Sequence, residues 1–511
     1  MKSTQHAEIH SEYGGEMDAL MNELINSGPK LAHNPILRKS ALAMAEHWVK
    51  NNAKKRHQSD PNHTPSGVID DQEAMTLAIL RSVERALTEF NISDATYREA
   101  SEILGRDLLV EKKPRMEKAA QFREKYGFPQ PSFLTISPSK VCNLRCVGCY
   151  ADADASLPHL EWDVVDRIVQ EAHDIWGTQF MVISGGEPLA YRSQGKGILD
   201  LAEKHQSSYF LMYTNSTLIT PEVADRMANL GNVLPCISLE GWEASTDARR
   251  GKGVYQKVMD AMDLLHEKGV LFGVSLTATR QNAEEILSDE FIDFLFNEKH
   301  ALLAWIFQYM PIGRSYTLDL MPTPEQRMWM WKQSWKIMRE KRHFLADFWN
   351  HGTVVDGCLS GGGHGRGGYY YIEWNGNVTP CVFVPYSPVN INEIYARGGT
   401  LNDIYNEPFF DNIRRWQAEC HTSNLLAPCL IRDHNSFLRD LIRKYESEPI
   451  DDNAASAIQD ADYAAGLDHY AADYSALSGK VWQKYYIDGQ PINDEDFQKL
   501  LDESKSEKVG A

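Results

Sequence analysis

Three features of this sequence predict an α/β fold built on a parallel sheet. Six short apolar runs recur between residues 133 and 309. Stretches with helical spacing, roughly ten to fifteen residues long, separate them, which implies parallel pairing through crossover connections. The polar and glycine-bearing motifs fall just after the runs, not before them. The runs are 133–137, 179–184, 208–213, 233–238, 270–277 and 303–309, and helices are expected over 162–175, 222–230, 255–268 and 283–296. Six such units predict an incomplete (β/α)6 barrel. Barrel chemistry sits at the carboxyl-terminal ends of the strands, where these motifs fall.

At 511 residues the chain exceeds one typical domain. Its pattern divides into 1–126, a helical cap; 127–320, the barrel; 321–446, a cysteine-bearing extension of hairpin and helices; and 447–511, an acidic helical tail. Hydrophobic content of 43% with 24% charged residues is that of a globular protein. No run of about 18 or more apolar residues occurs, so no membrane span is expected. Residues 1–6 lack an apolar signal core, so a cytoplasmic location is expected. A net charge of −19 argues against a nucleic-acid partner, whose phosphates call for a basic footprint. Eight cysteines are too few for a disulfide scaffold and fall in groups, which suits metal-ligating thiols in a reducing compartment.

Residues 1–126 read as helical. Segments 17–25 and 36–49 carry apolar residues at helical spacing, and a turn-rich break follows at 60–67. Beyond it, Met75, Ile79, Val83, Leu87 and Phe90 recur at steps of three and four, which predicts that their face is the buried one. A further helix is expected over 95–104. Lys50, Lys54, Lys55 and Arg56 end the second helix, where cations complement the helix dipole; a membrane-surface or anionic-substrate role is the alternative.

The densest chemistry is Cys142-Asn143-Leu144-Arg145-Cys146-Val147-Gly148-Cys149, a C-x3-C-x2-C loop after the first strand. A cubane [4Fe–4S] cluster is normally held by four thiolates. Three on one tight loop can hold three irons and leave the fourth open to a small molecule. Zinc is an alternative, but it wants a fourth ligand and His159 is badly placed for one; unrelated cysteines are the third reading. Downstream, Met181-Val182-Ile183-Ser184 reads as a buried strand ending in Gly185-Gly186-Glu187-Pro188, and the third run ends in Thr214-Asn215-Ser216-Thr217. Ile237-Ser238-Leu239-Glu240-Gly241 ends the fourth, and Asp247-Ala248-Arg249-Arg250-Gly251 precedes the next helix. Cys236 stands two residues before Ser238, on the same side of its strand. It reads as a small core residue or as a radical-relay or catalytic thiol.

This ordered set resembles the radical S-adenosylmethionine (SAM) superfamily, over roughly 132–314 and more weakly to about 434. The resemblance implies a partial TIM-like (β/α)6 core, with Cys142, Cys146 and Cys149 ligating three irons and SAM binding the fourth. One electron from the reduced cluster then cleaves the SAM C5′–S bond, and the 5′-deoxyadenosyl radical abstracts hydrogen from an unactivated carbon. It places Gly185, Gly186, Glu187 and Pro188 around the methionine moiety, with Glu187 on its ammonium and the glycines permitting close backbone approach. A solvated strand-end acid is the other reading of Glu187. Ser238 is implied on the ribose, and Arg250, ahead of Arg249, on the carboxylate by bidentate contact. Asn215 is implied near SAM, or serves only its turn. Many members carry an aromatic residue immediately before the third cysteine. Here Gly148 stands there and the aromatic is Tyr150, which leaves the adenine contact open. A flavodoxin or ferredoxin is the implied reductant.

Past the barrel, Met328, Trp331, Trp335 and Met338 share one face of an expected helix. Core packing is expected, with a substrate wall as the alternative. The run Gly361-Gly362-Gly363-His364-Gly365-Arg366-Gly367-Gly368 is neither a P-loop nor a dinucleotide fingerprint. It reads as a flexible approach to a hairpin, 369–374 and 377–384, joined by a two-residue Asn375-Gly376 turn. Cys358, Cys381, Cys420 and Cys429 form a second set. With Gly376-x4-Cys381 on the hairpin, it resembles the twitch extension, a shortened relative of the SPASM domain. That implies one auxiliary [4Fe–4S] cluster on all four thiols; structural zinc and no metal are the alternatives. In the tail, Tyr463, Tyr470 and Tyr474 share one helix face, which packs on the body or frays.

The expected function is that of a radical SAM enzyme whose auxiliary cluster assists oxidation or cross-linking of a peptide, protein or small metabolite. A lipid or isoprenoid chain lying under the helical cap and the Trp-rich helix is the alternative substrate. A non-catalytic iron–sulfur electron carrier or redox sensor is the alternative class. It would need neither Gly-Gly-Glu-Pro nor Ser-Leu-Glu-Gly at strand ends.

Overall fold

The computed structural model describes residues 34–60, 64–100, 112–155, 158–365, 367–420 and 424–509. The helix expected over 17–25 and the second half of that over 95–104 lie outside the described residues. Helix α1 (Pro35–Gln58) starts at Asn34, whose Oδ1 accepts the Ile36 N–H at 3.0 Å; asparagine is a favoured cap for this reason. Helix α2 (Ser66–Glu89) follows. The barrel then runs β1 (Phe133–Ile136), α3 (Trp162–Trp176), β2 (Phe180–Ile183), β3 (Tyr209–Thr214), α4 (Pro221–Leu230), β4 (Val233–Leu239), α5 (Glu243–Arg250), α6 (Val254–Glu267), β5 (Gly273–Ala278) and β6 (Ala304–Gln308). All six expected strands form, each parallel to the next. Alternate side chains point inward, and Val182, Leu211, Leu234, Cys236 and Leu303 pack together inside the barrel. The expected helix over 283–296 breaks at Ser288. Its hydroxyl accepts the Phe291 N–H at 3.2 Å and starts a new helix, Asp289–Asp293.

The sheet runs on past the six strands at both edges. After α7 (Pro324–Glu340), β7 (Leu345–Asp347) joins β6 in parallel. At the other edge β8 (Tyr371–Ile372) joins β1 in parallel. β9 (Asn377–Thr379) and β10 (Val389–Asn390) extend it antiparallel, giving the order β10-β9-β8-β1-β2-β3-β4-β5-β6-β7. The cysteine hairpin is therefore a continuation of the barrel sheet. Its connection is also longer than the expected two-residue turn, because Ile372 opposes Val378. The Glu373 carboxylate closes the loop, accepting the Asn375 and Asn377 N–H groups at 3.1 Å. Gly376 holds φ at +88°, where glycine carries no steric penalty.

The buried face of α2 differs from the expected one. Ile79 and Val83 are 40% and 44% exposed, while Asp71, Ala74, Met75, Ala78, Ser82 and Arg85 face inward. The two charged residues find partners there. Arg85 donates to the Phe296 and Ala301 carbonyls. Asp71 accepts from Tyr486 (2.7 Å), Thr353 (2.8 Å) and Arg339. Buried charge is tolerated when it is paired in this way, and an apolar periodicity does not register it. Segment 91–97 grips the loops entering β4 and β5: Ser93 Oγ donates to the Ala228 carbonyl at 2.7 Å, and Ser93 N to that of Gly269 at 2.9 Å. Segment 91–97 and Arg85 thus brace the segments that lead into β4, β5 and β6, while Asp71 of the same region ties α2 to Thr353 beyond β7.

Met328, Trp331, Trp335 and Met338 of α7 are all buried in the core. Beyond α8 (Pro408–Cys420), the tail helix α9 (Ala461–Val481) packs on the body through the tyrosine face. Tyr463 and Tyr470 donate to the Pro311 and Pro322 carbonyls at 2.9 and 3.0 Å, and the Arg327 guanidinium lies 3.5 Å from the Tyr474 ring centre.

Burial pushes the Asp71 carboxyl up to about 6, against the pull of Arg339. A carboxyl that holds its proton more tightly when folded contributes stability that is complete below about pH 4 and is lost as pH rises through about 6. Asp71→Asn is expected to abolish that slope. In urea unfolding between pH 4 and 7, the stability of the native protein relative to this variant should fall by up to about 3 kcal/mol as pH rises. A pH-independent difference would refute a desolvated carboxylate at this position.

Candidate active site

The motifs converge on one cavity of about 250 Å3 at the carboxyl-terminal ends of the strands. Cys142, Cys146 and Cys149 stand on its wall with Gly185, Gly186, Asn215, Ser238 and Arg250. Aromatic rings line much of the remainder, among them Phe133, Tyr213, Trp305 and Phe307.

The cysteine loop has little regular structure, so its backbone groups need partners from elsewhere. Cys142 N donates to the Asp154 carbonyl and Val147 N to that of Arg249, both at 2.9 Å. Arg314, to which sequence reasoning assigned no role, supplies most of the rest. Its backbone N donates to the Cys149 carbonyl at 3.0 Å, its guanidinium to that of Cys146 at 2.8 Å, and its Nε to Asp152 at 2.9 Å. Gly313 makes this possible, since a Cβ there would stand 2.2 Å from the Tyr150 carbonyl.

Gly185 and Gly186 dock the β2 end on the segment entering the loop. Gly186 N donates to the Ser139 carbonyl and Glu187 N to that of Val141. A Cβ on Gly186 would meet the Val141 oxygen at 2.1 Å. Tyr150 takes part as well: its hydroxyl accepts the Gly185 N–H at 3.0 Å and pairs with Ser184 at 2.6 Å. At Gly148 the Tyr309 ring fills the space a side chain would occupy, with a Cβ there 2.5 Å from it. The aromatic surface beside the third cysteine therefore comes from Tyr309, just past β6, as well as from Tyr150 of the loop.

Glu187 and Pro188 lie behind the cavity wall. Glu187 is 2% exposed. Its carboxylate accepts from Thr214 Oγ1 (2.7 Å), Leu189 N (3.1 Å) and Asn215 N (2.8 Å). This differs from both sequence readings, the ammonium partner and the solvated acid: the side chain buckles the end of β3 to the end of β2. Burial raises its pKa, and those three donors pull it back. Asn215 does face the cavity. Its Nδ2 donates to Asn143 Oδ1 at 2.9 Å and approaches Cys142 Sγ at 3.7 Å, so it also ties β3 to the cysteine loop.

Glu240 is the residue that sequence reasoning quoted without a role. Fully buried, it accepts from Arg249 at 2.6 Å and from Arg250 Nε at 2.8 Å through one oxygen. Both arginines stand on the cavity wall. Glu240 and the nearby Cys146 and Cys149 raise the Arg250 pKa against burial. The signal available in sequence was the charge pattern itself: one acid at a strand end, with two arginines on the next helix.

The second set behaves similarly. Cys358, Cys381 and Cys429 line a smaller void of about 30 Å3. Cys420 lies at the end of α8, and its side chain falls outside the described residues. Phe348 and Phe383 line both cavities. Cys236 lies in the apolar barrel interior, fully buried, with its thiol pKa pushed far up, which matches the core reading.

Burial pushes both Cys142 and Cys358 up to about 11. Ionising such thiols calls for a cation against the sulfurs. No histidine or acid among the described residues stands on either cavity wall. Among the described residues, no three Cys, His, Asp or Glu side chains converge on a single-ion position. At the first set, three thiols without a fourth ligand suit an iron–sulfur cluster with one open iron better than a lone structural zinc.

Glu240→Ala should leave two wall arginines without their anion. SAM binding to anaerobically reconstituted protein, read by equilibrium dialysis, is expected to weaken about 10–100-fold, the usual effect of removing an orienting partner. Glu240→Gln should fall in between. Unchanged affinity in both would sink the assignment.

Residues 136–289 match the family model for the radical SAM superfamily, and residues 364–430 match the SPASM model, an iron–sulfur cluster-binding domain. Cys381, Cys420 and Cys429 fall inside the second match, and Cys358 just ahead of it. The mycofactocin maturase MftC of Mycolicibacterium smegmatis is 30% identical over 302 residues, 57% of this chain and 74% of that protein. The AdoMet-dependent heme synthase of Methanosarcina barkeri is 27% identical over 292 residues, 52% of this chain and 80% of that protein. Streptococcus suis SuiB bound to S-adenosylmethionine aligns with a TM-score of 0.48 at 17% identity, covering 70% of this chain and 87% of that one. The chain belongs to the radical SAM superfamily and is an iron–sulfur enzyme that uses S-adenosylmethionine and carries an auxiliary-cluster extension.

Proposed function

We propose that Cys142, Cys146 and Cys149 hold the SAM-binding [4Fe–4S] cluster, that Cys358, Cys381, Cys420 and Cys429 hold the auxiliary one, and that the substrate sits between them. The observation that carries this reading is the shared wall, Phe348 and Phe383, which lines the cavity of each cysteine set. When bound, SAM and its cluster supply a carbon-centred radical able to take hydrogen from an unactivated carbon. The chain's own residues position and exclude. Arg250 and Arg249, held by Glu240, offer guanidinium donors to the SAM carboxylate. Ser238 faces the ribose, Gly185 and Gly186 form the stretch of wall beside the methionine moiety, and Asn215 spans from SAM to the cysteine loop. The aromatic interior keeps water away from a reactive radical.

The cavity holds SAM and the cluster beside the substrate, so the substrate class is read from the lining. Among the described residues, its charged wall residues are the two arginines bound to Glu240. It suits one uncharged apolar or aromatic group, such as a peptide side chain or a small metabolite, and the enzyme's task is then an oxidation or cross-link at that group. The lipid or isoprenoid reading loses its support, because neither α1, α2 nor α7 contributes to the cavity wall. Among the described residues no helix is long and apolar enough to cross a membrane. A cytoplasmic location, a flavodoxin or ferredoxin reductant and no nucleic-acid partner complete the proposal. The divisions 1–126, 127–320, 321–446 and 447–511 are retained as functional units within the continuous sheet.

Anaerobically reconstituted protein supplied with SAM and dithionite is expected to form 5′-deoxyadenosine. The combined Cys142→Ala, Cys146→Ala and Cys149→Ala variant should form none. Equal product from both, or none from cluster-loaded native protein offered aromatic peptides, would move the electron-carrier reading to the front.

A further inference from the structure

Tyr369 joins the substrate cavity to the second cysteine set. Tyr369, just ahead of β8, is 2% exposed. Its ring lines the substrate cavity and stacks on Phe133, with centroids 4.7 Å apart and planes at 13°. Its hydroxyl donates to Cys381 Sγ at 3.0 Å. Its backbone is tied to the same region, since Tyr369 N donates to the carbonyl of Leu359, the neighbour of Cys358, at 2.9 Å. Stacking at one end and the backbone bond at the other leave the hydroxyl little freedom to turn away. The phenol O–H is the donor in this contact and the sulfur the acceptor. The Phe383 N–H, at 3.4 Å, is a second donor to the same sulfur, from a residue that also lines both cavities.

We propose that Tyr369 is a positioning residue that sets the reduction potential of the auxiliary cluster through its hydrogen bond to Cys381, from a ring that forms the substrate wall. The proposal rests on the auxiliary-cluster reading above. A hydrogen bond to a ligating sulfur stabilises the more negative, reduced state of the cluster and so raises its potential. Neither Phe348 nor Phe383 carries a side-chain donor, so Tyr369 is the wall residue able to do this by its side chain.

The test uses full-length protein carrying Cys142→Ala, Cys146→Ala and Cys149→Ala, so that only the second set loads iron. Its midpoint potential is followed by electron paramagnetic resonance during anaerobic redox titration. In that background Tyr369→Phe should load the same iron and titrate at a more negative potential. Replacement of Tyr369 by 3-fluorotyrosine, a stronger donor of nearly the same shape, should shift the potential the other way. Opposite shifts support the proposal. Iron loading with the same midpoint in all three proteins overturns it. If Tyr369→Phe fails to load, the fluorotyrosine protein alone decides, by a positive shift or by none. Absence of any cluster signal in the triple-alanine protein removes the auxiliary-cluster reading itself, and this proposal with it.

Discussion

The site depends on one constraint: a loop that carries three cysteines cannot also satisfy its own backbone. Buried N–H and C=O groups without partners are costly, and a loop shaped by its sulfurs has no helix or ladder to supply them. The strand ends around it do so instead. The end of β2 gives Gly186 N and Glu187 N to Ser139 and Val141, α5 gives the Arg249 carbonyl to Val147, and the segment after β6 gives Arg314 to Cys146 and Cys149. Motifs far apart in the chain are thus parts of a single scaffold. The glycines at 186 and 313 are needed because backbone meets backbone there, with no room for a Cβ.

Charge follows the same economy of partners. Thiolates are anionic, and the cavity wall answers them with Arg249 and Arg250. Two guanidinium groups side by side would repel, and one buried carboxylate, Glu240, binds both. Glu187 does for geometry what Glu240 does for charge, fastening β2 to β3 with three accepted hydrogen bonds. A pair of buried acids therefore shapes the wall, and among the described residues no acid stands on it.

The strands, the cysteine loop and the cavity-facing Gly185, Asn215, Ser238 and Arg250 were legible because each rests on local pattern: apolar runs of strand length, cysteine spacing, glycine at a strand end. What was not legible rests on distant pairing. Glu187 looked like a ligand-binding acid because sequence cannot show Thr214 and Asn215 folding back to meet it. Ile79 and Val83 looked buried because periodicity weighs apolar residues and gives no credit to Asp71 or Arg85, which find partners across the fold. The helical region reads as a cap in sequence, and chain position alone does not say which segments it packs on; Ser93 and Arg85 show them to include those entering β4, β5 and β6. Arg314 and Tyr309 lie beyond the motifs, and only the return of the chain to the mouth after β6 gives them meaning.

The pairing of β8 with β1 has the widest consequence. β1 leads into Cys142, and β8 leads through its hairpin to Cys381. Thr135 faces Tyr371 and Ile136 faces Ile372 in one parallel ladder. Adjacent strands stand about 4.8 Å apart, so the two cysteine regions are registered to each other by the sheet and not by a linker. A hinge between them would have to break that ladder and the Phe133–Tyr369 stack beside it. The space between the two sites is therefore a property of the fold. The extension is then best understood as the far wall of the barrel's own cavity, built from the same sheet that carries the radical-generating loop.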